Sequence, residues 1–131
     1  MRRLVVTLSV VALVVVGCGS DGGSSKPPVS LNGPTNNHGT KTAEADLEVE
    51  VDDFYFSPTF ITATAGQKFT VQLKSDGTAR HSFTSPANGI DLELAPGASR
   101  SVTLTAPGTG FVEFYCRFHQ SQGMQGAVYV K

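Results

Sequence analysis

The sequence predicts an all-β domain, a Greek-key β-sandwich of about eight short strands. Apolar and polar residues alternate with a period of two along most of residues 44–131, as in strands with one buried face. Proline and glycine divide these runs at short intervals, and no stretch shows the 3.6-residue period of an amphipathic helix. The 14 glycines of the chain agree with a fold that has many turns.

The predicted strands follow one another from residue 46 onwards. In the first, Leu47, Val49 and Val51 alternate with acidic residues, and the apolar pattern continues to Phe56. Seven further strands follow from the same kind of pattern and lie over residues 60–64, 69–74, 81–84, 90–94, 102–104, 111–116 and 127–130. Turn dipeptides such as Pro107-Gly108 separate them.

Residues 1–17 are predicted to be a signal peptide for export. Arg2 and Arg3 precede an apolar run over residues 4–16, which is shorter than the roughly 20 residues that a membrane-spanning helix needs. Small residues then precede Cys18, as in the bacterial lipoprotein box, so Cys18 is predicted to be lipidated. An ordinary signal peptide that ends near a cysteine is the alternative, and both Sec and twin-arginine export stay open.

Residues 18–43 are predicted to form a flexible linker between the lipidated cysteine and the folded domain. They are rich in Gly, Ser, Pro and Asn and have almost no apolar side chains, so they cannot bury a core of their own. His38 lies in this segment and is expected to be solvated. The domain over residues 44–131 is then expected outside the cytoplasm, anchored to a membrane on its periplasmic or outer face.

The most distinctive chemistry lies in residues 116–124, which read C-x2-H-x4-M. Cys116, His119 and Met124 offer a thiolate, an imidazole and a thioether. These are soft or borderline donors, and their combination suits copper better than magnesium or calcium. Zinc is the rival metal, because cysteine and histidine also suit it.

The predicted strands bring these side chains together. Alternation over residues 111–116 places Cys116 on the inward face at the end of a strand, and the loop that follows can bend His119 and Met124 back toward it. His81 is the candidate for a second imidazole, from a separate strand. An amide oxygen can replace the thioether of the methionine, and the candidates for it are Gln120, Gln122 and Gln125.

Residues 46–131 resemble the cupredoxins, a family of small blue copper proteins. The resemblance implies one mononuclear copper site in a Greek-key sandwich. The strong ligands are then His81, Cys116 and His119, and Met124 is the long axial ligand. His119 is implied to be the exposed ligand, within an apolar surface through which electrons pass.

Two residues depart from the pattern of that family. Phe118 stands where a proline often precedes the loop histidine, and Ser82 stands where an asparagine often follows the first histidine. A hydroxyl makes fewer hydrogen bonds than an amide, so Ser82 predicts a less rigid link between the two ligand-bearing segments. Phe118, Pro86 and Gly89 are expected to belong to the apolar surface around His119.

The predicted function is that of an electron carrier, which passes single electrons between redox partner proteins at the outer face of a membrane. The alternative is a copper-binding module for capture or delivery without redox turnover. Such a module needs several methionine or histidine donors near its surface, and the only methionines here are Met1 and Met124. Electron transfer is therefore favoured.

Other function classes find little support in the sequence. No nucleophile with a base and no pair of carboxylates is evident, and a fully ligated metal leaves no open position for a substrate, so we do not expect an enzyme. The formal net charge of −1 gives no reason to expect a nucleic-acid partner. We expect a monomer.

Overall fold

The structure, a computed structural model, describes residues 26–131 and consists of ten strands in two sheets. The predicted signal peptide and Cys18 lie outside the described residues. Across residues 26–131, no helix has both the length and the apolar character required of a membrane span. The predicted all-β sandwich is confirmed, with two strands more than expected.

The strands β1 to β10 are, in chain order, Thr40–Thr42, Asp46–Asp52, Tyr55–Ser57, Phe60–Ala63, Lys68–Ser75, His81–Ser85, Ile90–Leu94, Ser99–Thr105, Phe111–Tyr115 and Gln125–Val130. One sheet has the order β1-β4-β10-β9-β6-β7 and the other the order β3-β2-β5-β8. Short 3-10 turns, Pro86–Asn88 and Gln120–Gln122, follow β6 and β9. The two additional strands are β1 and β3, because the apolar pattern through Phe56 belongs to a hairpin rather than to one long strand.

The core between the sheets contains three packed phenylalanines. Phe56, Phe83 and Phe114 are each at most 1 % exposed, and their ring centroids lie 5.0–5.7 Å apart. Aromatic pairs at these separations attract one another in edge-to-face and offset-stacked arrangements. Because Phe83 lies on β6 and Phe114 on β9, this cluster fixes the two strands beside each other.

The antiparallel pairing of β6 with β9 decides where the candidate ligands meet. Thr84 of β6 lies opposite Tyr115 of β9. The first residue of β6, His81, therefore comes close to Cys116, which directly follows the end of β9. The fold thus brings together two residues that are 35 positions apart in sequence.

The structure differs from the predicted linker over residues 32–43. β1 pairs in parallel with β4, and residues 32–39, which we call the strap, lie against the loop that follows β9. The strap is joined to the sandwich by polar contacts rather than by apolar side chains, as in the donation from the Gln125 amide to the Asn32 carbonyl and the stacking of His38 on Tyr55. A search for apolar periodicity cannot detect contacts of this kind.

Candidate metal centre

Three of the predicted ligands meet at one end of the sandwich. The Sγ of Cys116 lies 3.9 Å from Nδ1 of His81 and 3.6 Å from Nδ1 of His119. All three donor atoms lie within 4.8 Å of one another. His81 and Cys116 are fully buried, whereas His119 is partly exposed. The structure therefore groups one thiol and two imidazoles as the sequence predicts.

These separations fit a metal ion between the donors. Metal–nitrogen and metal–sulfur bonds of about 2.0–2.3 Å that meet at about 110–120° put the two donor atoms roughly 3.5–3.7 Å apart. The two sulfur–nitrogen distances of 3.6 and 3.9 Å lie at or just above this range. Small side-chain rotations would close the remainder, so the residues fit a small, borderline-soft cation.

The ligand loop, residues 116–125, is closed by its own backbone. The Cys116 amide donates to the Met124 carbonyl at 3.0 Å, and the Met124 amide donates to the His119 carbonyl at 3.2 Å. Gly123 has a φ of 97°, which is in the left-handed region that side-chain-bearing residues rarely adopt. This turn returns the chain to β10 and leaves the side chain of Met124 fully buried.

Ser82 links the two ligand-bearing segments. Its backbone amide donates to the Sγ of Cys116 at 3.3 Å, and its hydroxyl accepts a 2.8 Å hydrogen bond from the amide of Arg117. The same hydroxyl lies 3.0 Å from that of Thr84. The departure from the family pattern at Ser82 therefore does not remove the link between these segments, since the Ser82 amide contacts Cys116 and the Ser82 hydroxyl contacts Arg117.

Behind His81 lies a carboxylate that the sequence analysis does not identify. The Nε2 of His81 is 2.7 Å from Oδ1 of Asp53, in the turn between β2 and β3. Because a carboxylate only accepts, Nε2 carries the proton and the Nδ1 that faces Cys116 is left with its lone pair. Asp53 therefore selects the tautomer of His81 that can bind a metal.

Asp53 is itself held by the turn that precedes β6. Its carboxylate accepts hydrogen bonds from the amide and hydroxyl of Thr78, at 2.9 and 2.8 Å, and from the amide of Ala79 at 3.1 Å. The bonds from Thr78, followed by those from Ala79 and His81, hold the pKa of Asp53 well below its usual range. Asp53 is thus a fixed anion beside His81.

The electrostatic surroundings of His119 favour its neutral form. Burial lowers the pKa of the His119 imidazole below its usual value, and the neighbouring His81 lowers it further. The neutral ring is the form that binds a metal through nitrogen.

An apolar surface surrounds His119. Phe54 and Phe118 are 37 % and 36 % exposed, and their ring centroids lie 4.5 and 6.3 Å from that of His119. The guanidinium groups of Arg80 and Arg117 lie over the ring of Phe118, at 4.5 and 4.9 Å from its centroid. The prediction of Phe118 in this surface fits the structure, whereas Phe54 is a member that the sequence analysis misses.

Two other expected members of this surface lie elsewhere. Pro86 and Gly89 belong to the turn after Ser85, at the opposite end of β6 from His81. A five-residue strand is about 13 Å long. The prediction that Pro86 and Gly89 belong to the surface around His119 is therefore wrong. His81 lies at the start of β6, so the turn that follows the end of β6 lies about one strand length from the site.

The remaining candidates have other contacts. The ring of His38 stacks on Tyr55 with centroids 3.6 Å apart, so this exposed histidine is not the one that meets Cys116. The side chain of Gln120 donates to that of Gln125 at 3.4 Å, and the amide nitrogen of Gln125 donates to the strap. Gln122 is exposed.

Comparisons with known proteins agree with this description. Residues 28–130 match the family model described as the Cupredoxin-like domain. A comparison with curated protein sequences finds no match.

Solved structures of similar fold include two auracyanins and a metal-binding domain. Reduced auracyanin from Roseiflexus castenholzii is 21 % identical, with a TM-score of 0.57 over 68 % of this chain and 98 % of that one. Auracyanin A from Chloroflexus aurantiacus, described as a blue copper protein, is 20 % identical, with a TM-score of 0.52 over 71 % and 100 %. The metal-binding domain of the Cu(I)-exporting P-type ATPase CopA from Streptococcus pneumoniae, solved with Cu(I), is 13 % identical, with a TM-score of 0.60 over 72 % and 97 %.

Proposed function

We propose that this chain, which belongs to the cupredoxin-like domain family, is a blue copper protein that carries single electrons between redox partner proteins. Its ligands are His81, Cys116 and His119, with Met124 as the axial donor. The observation that carries the proposal is the approach of the Cys116 sulfur to Nδ1 of both histidines, at 3.6 and 3.9 Å.

The choice of copper over zinc rests on the donor set. The thioether of Met124 is fully buried and the backbone on both sides of it is hydrogen-bonded within the ligand loop. A soft thioether is a common donor to copper, whereas structural zinc sites use cysteine, histidine and carboxylate. The side-chain oxygen of Gln125 accepts from the amide nitrogen of Gln120, and Gln122 is exposed, which supports the buried Met124 over these two glutamines as the axial ligand.

Copper supplies one-electron chemistry when it is bound, and the protein residues set the conditions for it. Asp53 keeps the proton of His81 on Nε2, and the Ser82 amide donates to the Cys116 sulfur. The buried donors exclude water from one side of the site. On the other side, His119 reaches the surface between Phe54 and Phe118, where a partner protein can approach.

The membrane location is a further part of the proposal. The predicted signal peptide would direct export, and the lipidated Cys18 would then hold the domain at the outer face of a membrane, with redox partners on that side. Replacement of Cys18 by serine is expected to move the protein from the membrane fraction to the soluble fraction. Retention of the Cys18→Ser variant in washed membranes would contradict a lipid anchor.

The test of the metal site is a titration of the protein with Cu(II), followed by its visible spectrum. We expect an intense thiolate-to-copper band at one equivalent, which disappears in Cys116→Ala and persists in the matched control Cys18→Ser. A colourless copper complex, or colour that survives in Cys116→Ala, would overturn the assignment. When the protein is first loaded with Zn(II), the bound zinc should be displaced by added Cu(II).

Copper capture or delivery without redox turnover is the second candidate. Its support is the likeness in fold to the CopA metal-binding domain, which was solved with Cu(I). Cyclic voltammetry of the copper-loaded protein separates the two candidates. Reversible one-electron behaviour with retention of the metal supports the carrier, and loss of copper on reduction supports delivery.

A further inference from the structure

The strap makes direct contacts with the ligand loop. The amide of Asn36 donates to the carbonyl of Gly123 at 2.9 Å, and its side-chain nitrogen donates to the carbonyl of Gln122, also at 2.9 Å. The two chains are close together here, because a Cβ added to Gly123 would lie only 2.8 Å from Oδ1 of Asn36. The strap therefore covers the turn that precedes Met124.

The same side chain reaches the other half of the site. The side-chain nitrogen of Asn36 also donates to the carbonyl of Phe54 at 2.9 Å. Phe54 packs on His119 and directly follows Asp53, which holds His81. One amide group thus connects the turn that supports one histidine with the loop that carries the other.

A second contact fixes the strap on the far side of Met124. The side chain of Gln125 is 2 % exposed, and its amide nitrogen has three acceptors in the strap. These are the carbonyl of Asn32 at 2.8 Å, the carbonyl of Pro34 at 2.8 Å and the hydroxyl of Thr35 at 3.1 Å. The strap is therefore fixed to the sandwich through Gln125, and its Asn36 contacts the ligand loop at Gln122 and Gly123.

We propose that Asn36 is a positioning residue that keeps the ligand loop closed, so that the strap controls how fast a bound metal ion leaves the site. The proposal rests on the proposed function, because it requires a metal at this site. With His81, Cys116 and Met124 fully buried, the metal can leave only when the loop that bears His119 moves. Loop opening breaks the hydrogen bonds from Asn36 to Gln122 and Gly123.

The size of the effect follows from these hydrogen bonds. Replacement of Asn36 by alanine removes the donation to the Gln122 carbonyl, the one side-chain hydrogen bond of Asn36 that loop opening breaks, and a typical hydrogen bond changes an equilibrium by about fivefold. The population of the open loop, and hence the rate of metal loss through it, should therefore increase by about fivefold. Asn36→Asp has the size of the native residue but directs an anionic oxygen at two carbonyl oxygens, so it should open the loop at least as much.

The first measurement uses the metal-free, full-length protein, so that it does not depend on copper binding. Hydrogen exchange by NMR at the amides of Gly123 and Met124 should be about fivefold faster in Asn36→Ala and at least as fast in Asn36→Asp. The matched control is Asn88→Ala, since Asn88 also makes two side-chain hydrogen bonds, to Thr105 and Ser85, in the turn after β6. Unchanged exchange in the Asn36 variants, or native exchange in Asn36→Asp alone, would overturn the proposal.

In the second measurement, a Cu(I)-specific chelator is added to the copper-loaded, reduced protein, and metal release is followed by the absorbance of the Cu(I)–chelator complex, because the blue band belongs to Cu(II) and is lost on reduction. The Asn36 variants should bind copper with the native spectrum but release it about fivefold faster, and Asn88→Ala should release it at the native rate. Equal release rates would refute the role of the strap. A native protein that forms no blue complex would instead defeat the proposed function, and the exchange data would still report on the strap.

Discussion

Substitution of Gly77 by alanine should weaken copper binding although Gly77 contacts no ligand. A Cβ at this position would lie 2.8 Å from Cγ and 3.0 Å from the backbone nitrogen of Asp53. The carboxylate must retreat by at least about 0.6 Å to reach an ordinary contact of 3.4 Å. A shift of that size is enough to carry the 2.7 Å bond to Nε2 of His81 past the hydrogen-bond limit of about 3.2 Å.

The expected consequence is a copper affinity about 10–100-fold lower, which is the usual cost of losing a residue that orients a metal-binding histidine. The assay is a competition titration against a chelator of known affinity. A second readout needs no copper, because nitrogen NMR of the metal-free protein reports which nitrogen of His81 carries the proton. We expect Nε2–H in the native protein and a mixture of tautomers in Gly77→Ala.

Gly108→Ala is the matched control, because a Cβ at Gly108 meets no atom within 4 Å. Gly108→Ala should keep the native copper affinity and the native tautomer of His81. If Gly77→Ala also kept both, then Asp53 would not orient His81 in the way that the distances indicate.

Three further results are expected. Met124→Leu should keep the blue band and raise the reduction potential, by about 59 mV for each tenfold loss of preference for Cu(II); an unchanged potential in voltammetry would argue against an axial Met124. Phe83→Ala should lower the free energy of unfolding by about 3–5 kcal/mol, and a loss below about 1 kcal/mol in urea titration would contradict a tightly packed aromatic cluster. The hydrogen bond to Asp52 raises the pKa of Tyr55 to about 12, so the stability it contributes is present below the usual pKa of about 10 and is lost as the pH rises from there to about 12. Ultraviolet titration should lose its highest-pH step in Tyr55→Phe, and a curve that keeps this step would assign it to another tyrosine.

Most of the sandwich could be predicted from local patterns. Leu47, Val49 and Val51 are buried because a strand with a period of two must place one set of side chains inside. The ligand loop was also visible, since Cys116, His119 and Met124 lie close together in the sequence. The strand pattern and the ligand motif can both be recognised from residues that lie close together in the sequence.

The supporting residues of the site gave no such signal. Asp53 lies 28 residues from His81, and Asn36 lies 86 residues from Gln122. An aspartate in a turn and an asparagine in a polar segment are common without any metal nearby. Their roles depend on which turns the fold brings together, and this was not contained in the local sequence. The strap was missed for the same reason, because hydrogen bonds to backbone carbonyls leave no apolar pattern.

The separation of the ligands along the chain has a consequence for the order of folding and metallation. Three donors come from a single loop, whereas His81 precedes Cys116 by 35 residues and joins them only after β6 and β9 have paired. An unfolded chain therefore offers an incomplete chelate, and the complete one exists only in the native state. Each tenfold excess of free copper over its dissociation constant should then add about 1.4 kcal/mol to the free energy of unfolding. The metallated protein should therefore resist unfolding more strongly, as the copper concentration rises, than the same chain without its ion.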